Sequence, residues 1–249
     1  RDAIRLEDGV NQRVDGQEAP WRDQPKLLLQ LHVHYADGSE TVIGTDPQWE
    51  AAPSAITFDG LRNGEFYDAR LELPAGWKRA VVVPAPGGRL RSQQHPPIRV
   101  TRTLTPVGLQ EVRPGTWVYD LGQNISGWAQ LKAAGPAGTT ITVRYAEKRK
   151  PDGDIDPANI NIFIKSGEFQ TDKFTLAGSG VETWEPRFTY HGYRYAQVTG
   201  WPGTPTLDNL RGRVVHTDLP VRGEFECSNE LLNAIQRCVR WSTLTNFHG

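Results

Sequence analysis

The sequence predicts an all-β protein that ends in one α-helix, and three observations lead to that reading. Apolar residues make up 37% of its 249 positions, while 25 Gly and 18 Pro punctuate them. That is the composition of many short strands joined by turns. Short segments alternate apolar and polar residues with period two, as half-buried strands do. After Arg222 the alternation gives way to a single helical period.

Residues 1–26 hold Asp, Gly, Gln, Arg and Pro without a period and read as a loop. Residues 27–35 form a strand, with Leu29, Leu31 and Val33 on one face and His32 and His34 on the other. Ala36-Asp37-Gly38-Ser39 turns the chain and 40–43 returns, giving a hairpin. Trp49 and residues 56–58 add shorter strands, and 63–70 reads as a loop or one helical turn. Pro84 to Gly88 is a loop, and His95-Pro96-Pro97 marks a domain boundary.

Beyond it, strands are expected at 98–104, 107–112, 116–121, 128–133, 139–146, 172–176, 188–190, 193–198 and 210–216. This is the spacing of a β-sandwich. Gly135-Pro136-Ala137-Gly138 is the tight turn between two of them, and 151–165 is a long irregular connection. In 193–198, Tyr193, Tyr195 and Gln197 fall on one side and Arg194, Ala196 and Val198 on the other. Gly192 turns the chain into this strand and Trp201-Pro202-Gly203 stops it.

In the terminal segment Ser228 or Asn229 can cap a helix. Leu231, Ile235 and Cys238 share a stripe with Ser242, widened by Leu232, Val239 and Leu244. A helix of this kind is held mainly by packing its apolar face. No other segment has a helical pattern, so its partner is expected outside this sequence. The chain contains no Met, opens on Arg1 and stops at Gly249 within the helical pattern. It therefore reads as an internal piece of a longer polypeptide, and the compartment stays open.

With Lys+Arg 28 against Asp+Glu 29, the net charge is −1. There is no basic field to hold nucleic acid or an anionic membrane. Lys148-Arg149-Lys150 is expected in a solvated turn. No stretch approaches the roughly 18 consecutive apolar residues of a membrane span. Cys227 and Cys238 are too few for a disulfide scaffold and read as buried free thiols.

Several motifs invite a chemical reading. Asp152-Gly-Asp-Ile-Asp156 begins like a calcium loop, but Pro157 and Phe163 occupy the Gly and Glu positions of an EF-hand, so a solvated acidic turn is favoured. His191 has no Ser or Cys nucleophile context and is expected to donate to a backbone carbonyl within an aromatic cluster; His216 and His248 read the same way. In Asp120–Trp128, Asp120, Gln123 and Asn124 are expected to satisfy backbone groups at a bend, with Trp128 in the core. The alternative is that Gln123 and Asn124 reach sugar hydroxyls.

Three segments occur in a telling order: Asp120-Leu-Gly-Gln-Asn-Ile-Ser-Gly-Trp128, then Phe188-Thr-Tyr-His-Gly-Tyr-Arg-Tyr195, then Phe225-Glu-Cys-Ser-Asn-Glu-Leu-Leu-Asn233. Together they resemble the accessory β-domains of bacterial α-L-rhamnosidases of glycoside hydrolase family 78, running into the first helix of the catalytic barrel. The resemblance implies the C-terminal part of a jelly-roll, carbohydrate-binding-like module over 1–97 and a β-sandwich over 98–222. Residues 223–249 would be a linker and the truncated start of an (α/α)6 barrel.

The same resemblance implies an inverting hydrolase acting on terminal α-L-rhamnose, with no cofactor for catalysis. The two acids stand roughly 6.5–9.5 Å apart in inverting glycosidases. Here both would lie in the barrel, so no catalytic residue is expected in this chain. It also makes Asn63, Glu65 and Asp68 candidates for holding rhamnose, with calcium in the jelly-roll module, because hard oxygen ligands suit that ion. A salt bridge from Glu65 or Asp68 to Arg62 or Arg70 is the alternative. A stand-alone carbohydrate-binding or adhesive β-protein, and another glycosidase with β-domains ahead of a helical barrel, are the competing functions.

Overall fold

The computed structural model describes residues 26–71, 76–84, 91–163 and 167–248. All but the last residue of the loop read at 1–26, most of 84–88 and part of the 151–165 connection lie outside them. The N-terminal part contributes β1 (Gln30–His34), β2 (Glu40–Gly44), β3 (Glu50–Ala51), β4 (Ile56–Gly60), β5 (Gly64–Asp68) and β6 (Lys78–Arg79). The sandwich follows as β7 (Ile98–Leu104), β8 (Gly108–Arg113), β9 (Thr116–Ala134) and β10 (Thr140–Ala146). It continues with β11 (Lys148–Arg149), β12 (Ile155–Asp156), β13 (Thr171–Thr175), β14 (Val181–Trp184), β15 (His191–Thr199) and β16 (Leu210–Thr217). Helix α1 (Glu230–Asn246) closes the order.

Ten of these strands form one curled sheet in the order β4-β5-β13-β10-β15-β9-β16-β7, with β14 and β8 also paired to β9. The expected strands 116–121 and 128–133 are one 19-residue strand. The glycine-rich stretch between them bends the strand instead of ending it. At Gly127 (φ 149°) an added Cβ would lie 1.8 Å from the Arg213 carbonyl oxygen, so only glycine permits that approach to β16. The bend lets β9 pair with β8 and β15 along its first half and with β16 and β14 along its second.

The strict alternation expected in 193–198 is broken. Tyr193 pairs with Ile125 and Tyr195 with Asp120, so a bulge separates them. Tyr193 consequently joins Ala196 and Val198 in the main core, while Tyr195 packs on a second cluster with Val118, Ala146 and Ile155. Gly192 lies inside β15 and makes no turn; its N–H donates to Gln170 Oε1 at 3.0 Å. The main core closes around Phe174 and Trp184, whose rings stack at 5.2 Å.

Other expectations are corrected by tertiary partners. Residues 63–70 form a strand and a 3-10 turn, because β5 finds an edge to pair with on β13. Asp154 is buried, not solvated: it pairs with Arg113 at 2.7 Å and accepts from Gln197. Arg149 is not a free surface cation either, since its Nε donates to the Gly153 carbonyl and its Nη2 to Gln110. Trp128 is half-buried, with its indole N–H donating to Glu185.

Helix α1 begins at Asn229, whose side chain accepts from the Leu231 and Leu232 N–H groups. Its C-terminal end is fixed to the sandwich: Thr217 N–H donates to the Phe247 carbonyl, and His248 reaches Ser126 Oγ at 2.7 Å and stacks on Tyr190. The face turned to the chain holds Asn233 and Trp241. The apolar stripe faces away, with Leu231 68% and Val239 53% exposed. Cys238 is exposed and Cys227 partly so; both are free, and neither is the buried thiol expected, because the stripe they flank has no described partner. Among the described residues no helix is long and apolar enough to cross a membrane.

Candidate functional site

The three candidate residues sit where the β4–β5 hairpin joins the sandwich. The hairpin turn follows Gly60, and β5 then runs parallel to β13, with Phe66 opposite Lys173 and Asp68 opposite Thr175. Gly64 is required at the crossing: it has φ 129°, and a Cβ there would lie 1.9 Å from the Thr171 carbonyl oxygen. Thr171 N–H donates to the Asn63 carbonyl and Gln170 N–H to that of Arg62, so backbone bonds seal the turn.

Glu65 points into this junction and is fully buried. Its Oε2 accepts the N–H groups of Arg187 and Phe188 at 3.0 and 3.2 Å, while Oε1 has no hydrogen-bond partner. Burial pushes its carboxyl up to about 7 against the pull of those two N–H groups, and the neighbouring Asp172 and Asp59 add to the rise. Asp172 is equally buried and organises the cluster. It accepts from Glu65 N–H at 2.9 Å and from Tyr145 Oη at 2.6 Å, and both its oxygens lie 3.1 Å from His191 Nε2.

His191 stacks on Tyr145, and Tyr193 meets Tyr145 edge-on. Burial, with the Asp172 charge behind it, holds both phenols well above their ordinary range. His191 thus bonds a carboxylate, in place of the backbone carbonyl expected from sequence. A buried pair of this kind stabilises only so far as its remaining polar atoms are met, and His191 Nδ1 has no hydrogen-bond partner.

The candidates do not converge on one surface. Asn63 is buried, with its amide donating to the Glu168 carbonyl. Asp68 lies at the other end of β5 in a two-pronged pair with Arg70, at 2.9 and 2.7 Å, which holds its carboxyl below the usual range. Among the described residues no group of three His, Cys, Asp or Glu side chains could hold a metal ion. As folded, Asn63, Glu65 and Asp68 do not fit a calcium ion.

Sequence reasoning missed Asp172, His191 and Tyr145 as a unit, since nothing local links residues on β10, β13 and β15. A cleft of about 260 Å³ opens beside the cluster, lined by Leu61, Arg62, Ile160, Phe169, Gln170, Tyr190 and Gly192. The other polar centre is the β9 bend. There Arg194 clamps Asp120 at 2.7 and 2.9 Å, Gly122 N–H donates to the same carboxylate, and Asn124 reaches Glu147. Asp120 therefore supports the bend, as expected.

This arrangement is a β-protein whose β4–β5 hairpin meets the rest of the ten-stranded sheet through a buried polar seam. The α-L-rhamnosidase N-terminal domain matches residues 5–102, and the bacterial α-L-rhamnosidase concanavalin-like domain matches 110–216. The chain belongs to the bacterial α-L-rhamnosidase family.

It is 40% identical to an α-L-rhamnosidase of Streptomyces avermitilis over 90% of its own length and 22% of that protein's. One from Formosa agariphila is 30% identical over 94% and 27%. Among solved structures, the α-L-rhamnosidase of Dictyoglomus thermophilum superposes with a TM-score of 0.81 at 40% identity, covering 89% of this chain and 26% of that one. The Streptomyces avermitilis enzyme in complex with L-rhamnose gives 0.79 at 39% identity, covering 89% and 22%. The chain thus spans about a quarter of the length of the relatives it matches.

Proposed function

We propose that these residues are the accessory β-domains of an inverting α-L-rhamnosidase that releases terminal α-L-rhamnose from glycosides or polysaccharides. The two acids that such chemistry needs would be supplied by an (α/α)6 barrel that packs on α1. The observation that supports this most directly is the exposed apolar stripe of α1, fixed at its C-terminal end to the sandwich and turned away from it. A free-standing adhesive or binding module has no use for such a face. The relatives named above bear the same activity in their names.

The test is turnover of an aryl α-L-rhamnoside by residues 1–249 and by a polypeptide extended through the barrel. Hydrolysis is expected from the longer protein alone, with β-L-rhamnose as first product. Turnover by 1–249 would place the acids here and end the proposal.

Rhamnose recognition by the N-terminal module, with Asn63, Glu65 and Asp68 contributing, rests on the family resemblance. Of the three, Asp68 is the one whose carboxylate reaches the surface. Calorimetry with L-rhamnose, with and without calcium, decides it. Unchanged binding in Asp68→Ala removes Asp68 from any sugar site.

A further inference from the structure

The junction joins two family-defined domains through buried acids: Asp59 on β4, Glu65 on β5 and Asp172 on β13. Asp172 is the shared acceptor, bonded by Tyr145, by Glu65 N–H and by His191. Asp59 and Glu65 lie close enough for their charges to interact. No described Lys or Arg side chain forms an ion pair with Glu65 or Asp172. The rings facing the pair are His191, bonded to Asp172 through Nε2, Tyr145, whose phenol donates to the same carboxylate, and Tyr193, whose phenol feels its charge. Arg62 and Arg70 on the same hairpin are exposed, and Arg70 is committed to Asp68.

Glu65 is the member that can change state without breaking its bonds. Oε2 accepts the Arg187 and Phe188 N–H groups whether the carboxyl is charged or neutral, and the unpartnered Oε1 is where a proton fits. A neutral carboxyl leaves the seam with the Asp172 charge and its donors. An ionised one adds a second buried anion beside it, which low-dielectric surroundings penalise. Arg187 and Phe188 stand just before β15, and Glu65 stands on β5, so the carboxyl spans the interface it would loosen.

We propose that Glu65 is a proton-controlled latch between the two domains, holding the β4–β5 hairpin against the sandwich when neutral and loosening it when charged. The latch rests on the fold alone and stands whether or not the hydrolase reading does. Its effect is to make the seating of the N-terminal module on the sandwich tighter in mildly acidic than in mildly alkaline solution.

Amide hydrogen exchange of residues 1–249 from pH 5.5 to 8.5, corrected for intrinsic rates, reads the latch directly. Peptides covering β5 and Arg187–Phe188 are expected to lose protection about tenfold or more as pH rises. Peptides of β16 and the second half of β9 are expected to hold theirs. Glu65→Gln, which keeps the acceptor oxygen and removes the proton, should abolish that difference. Uniform protection across pH, or the same pH dependence in Glu65→Gln, overturns the proposal. Should that variant fail to fold, infrared spectra of the unaltered protein still decide. The carbonyl band of a protonated buried carboxyl must be present at pH 5.5 and gone at 8.5, and its absence at 5.5 overturns the latch.

Discussion

Two hairpins of the N-terminal part face opposite fates. The hairpin β1–β2 carries Leu29, Leu31, Val42 and Ile43, yet Leu31 is 53% and Val42 51% exposed, and among the described residues it pairs only with itself. The hairpin β4–β5 carries Asp59, Asn63 and Glu65, yet all three are buried and the hairpin extends a ten-stranded sheet. Hydropathy ranks the two the wrong way round. What buries a hairpin here is an edge that accepts it: Gly64 lets β5 cross Thr171 closely, and Asp172 and the Arg187–Phe188 amides receive its polar groups. An apolar face with no edge to join stays in water, however greasy.

The comparison breaks most sharply at Asp172. Asp172→Ala leaves His191 Nε2, Tyr145 Oη and Glu65 N–H without their shared acceptor and is expected to cost about 3–5 kcal/mol, read by urea unfolding. Gly64→Ala follows. A methyl group 1.9 Å from a carbonyl oxygen at φ 129° must displace β5, at about 3 kcal/mol from strain and overpacking. Protease cleavage within 56–71 should rise in that variant while the sandwich core stays resistant.

Third is the pH dependence of Glu65. Its folded-state pKa of about 7 lies above the ordinary 4.5, so between those values the folded state binds more protons than the unfolded one. Its contribution to stability is therefore full below pH 4.5 and is lost as pH rises through 7. The loss amounts to roughly 2–3 kcal/mol between pH 5 and 8. Glu65→Gln should remove that part of the slope in denaturant titrations at the two pH values. The smallest effect sharpens the comparison from the other side. Leu31→Ser, on the hairpin with no edge, is expected to change stability by under about 0.5 kcal/mol, and a larger loss would mean that β1–β2 is covered after all.

Much of the sandwich was legible because its strands state their period locally. Residues 98–104 are β7, Asn229 caps α1, and the Gly135–Gly138 turn leads into β10. The strand β14 escaped notice because Val181-Glu-Thr-Trp184 is only four residues long and shows its role through pairing with β9. Asp154 looked solvated because Arg113 and Gln197, which neutralise and bury it, lie far away in the chain. Of the candidate site, the segment 63–68 was singled out, but its role in joining two domains depends on Asp172, Arg187 and Phe188.

The sequence by itself determined the all-β class, the family, the strand periods and a terminal helix with one apolar face, because each is written in residues near one another. Only the tertiary structure decided that β9 runs unbroken through its bend and that a bulge sends Tyr193 and Tyr195 to different cores. It alone also decided that Glu65 is a buried acid. Those outcomes turn on which distant backbone groups and charges meet, and local patterns of hydropathy carry no record of distant partners.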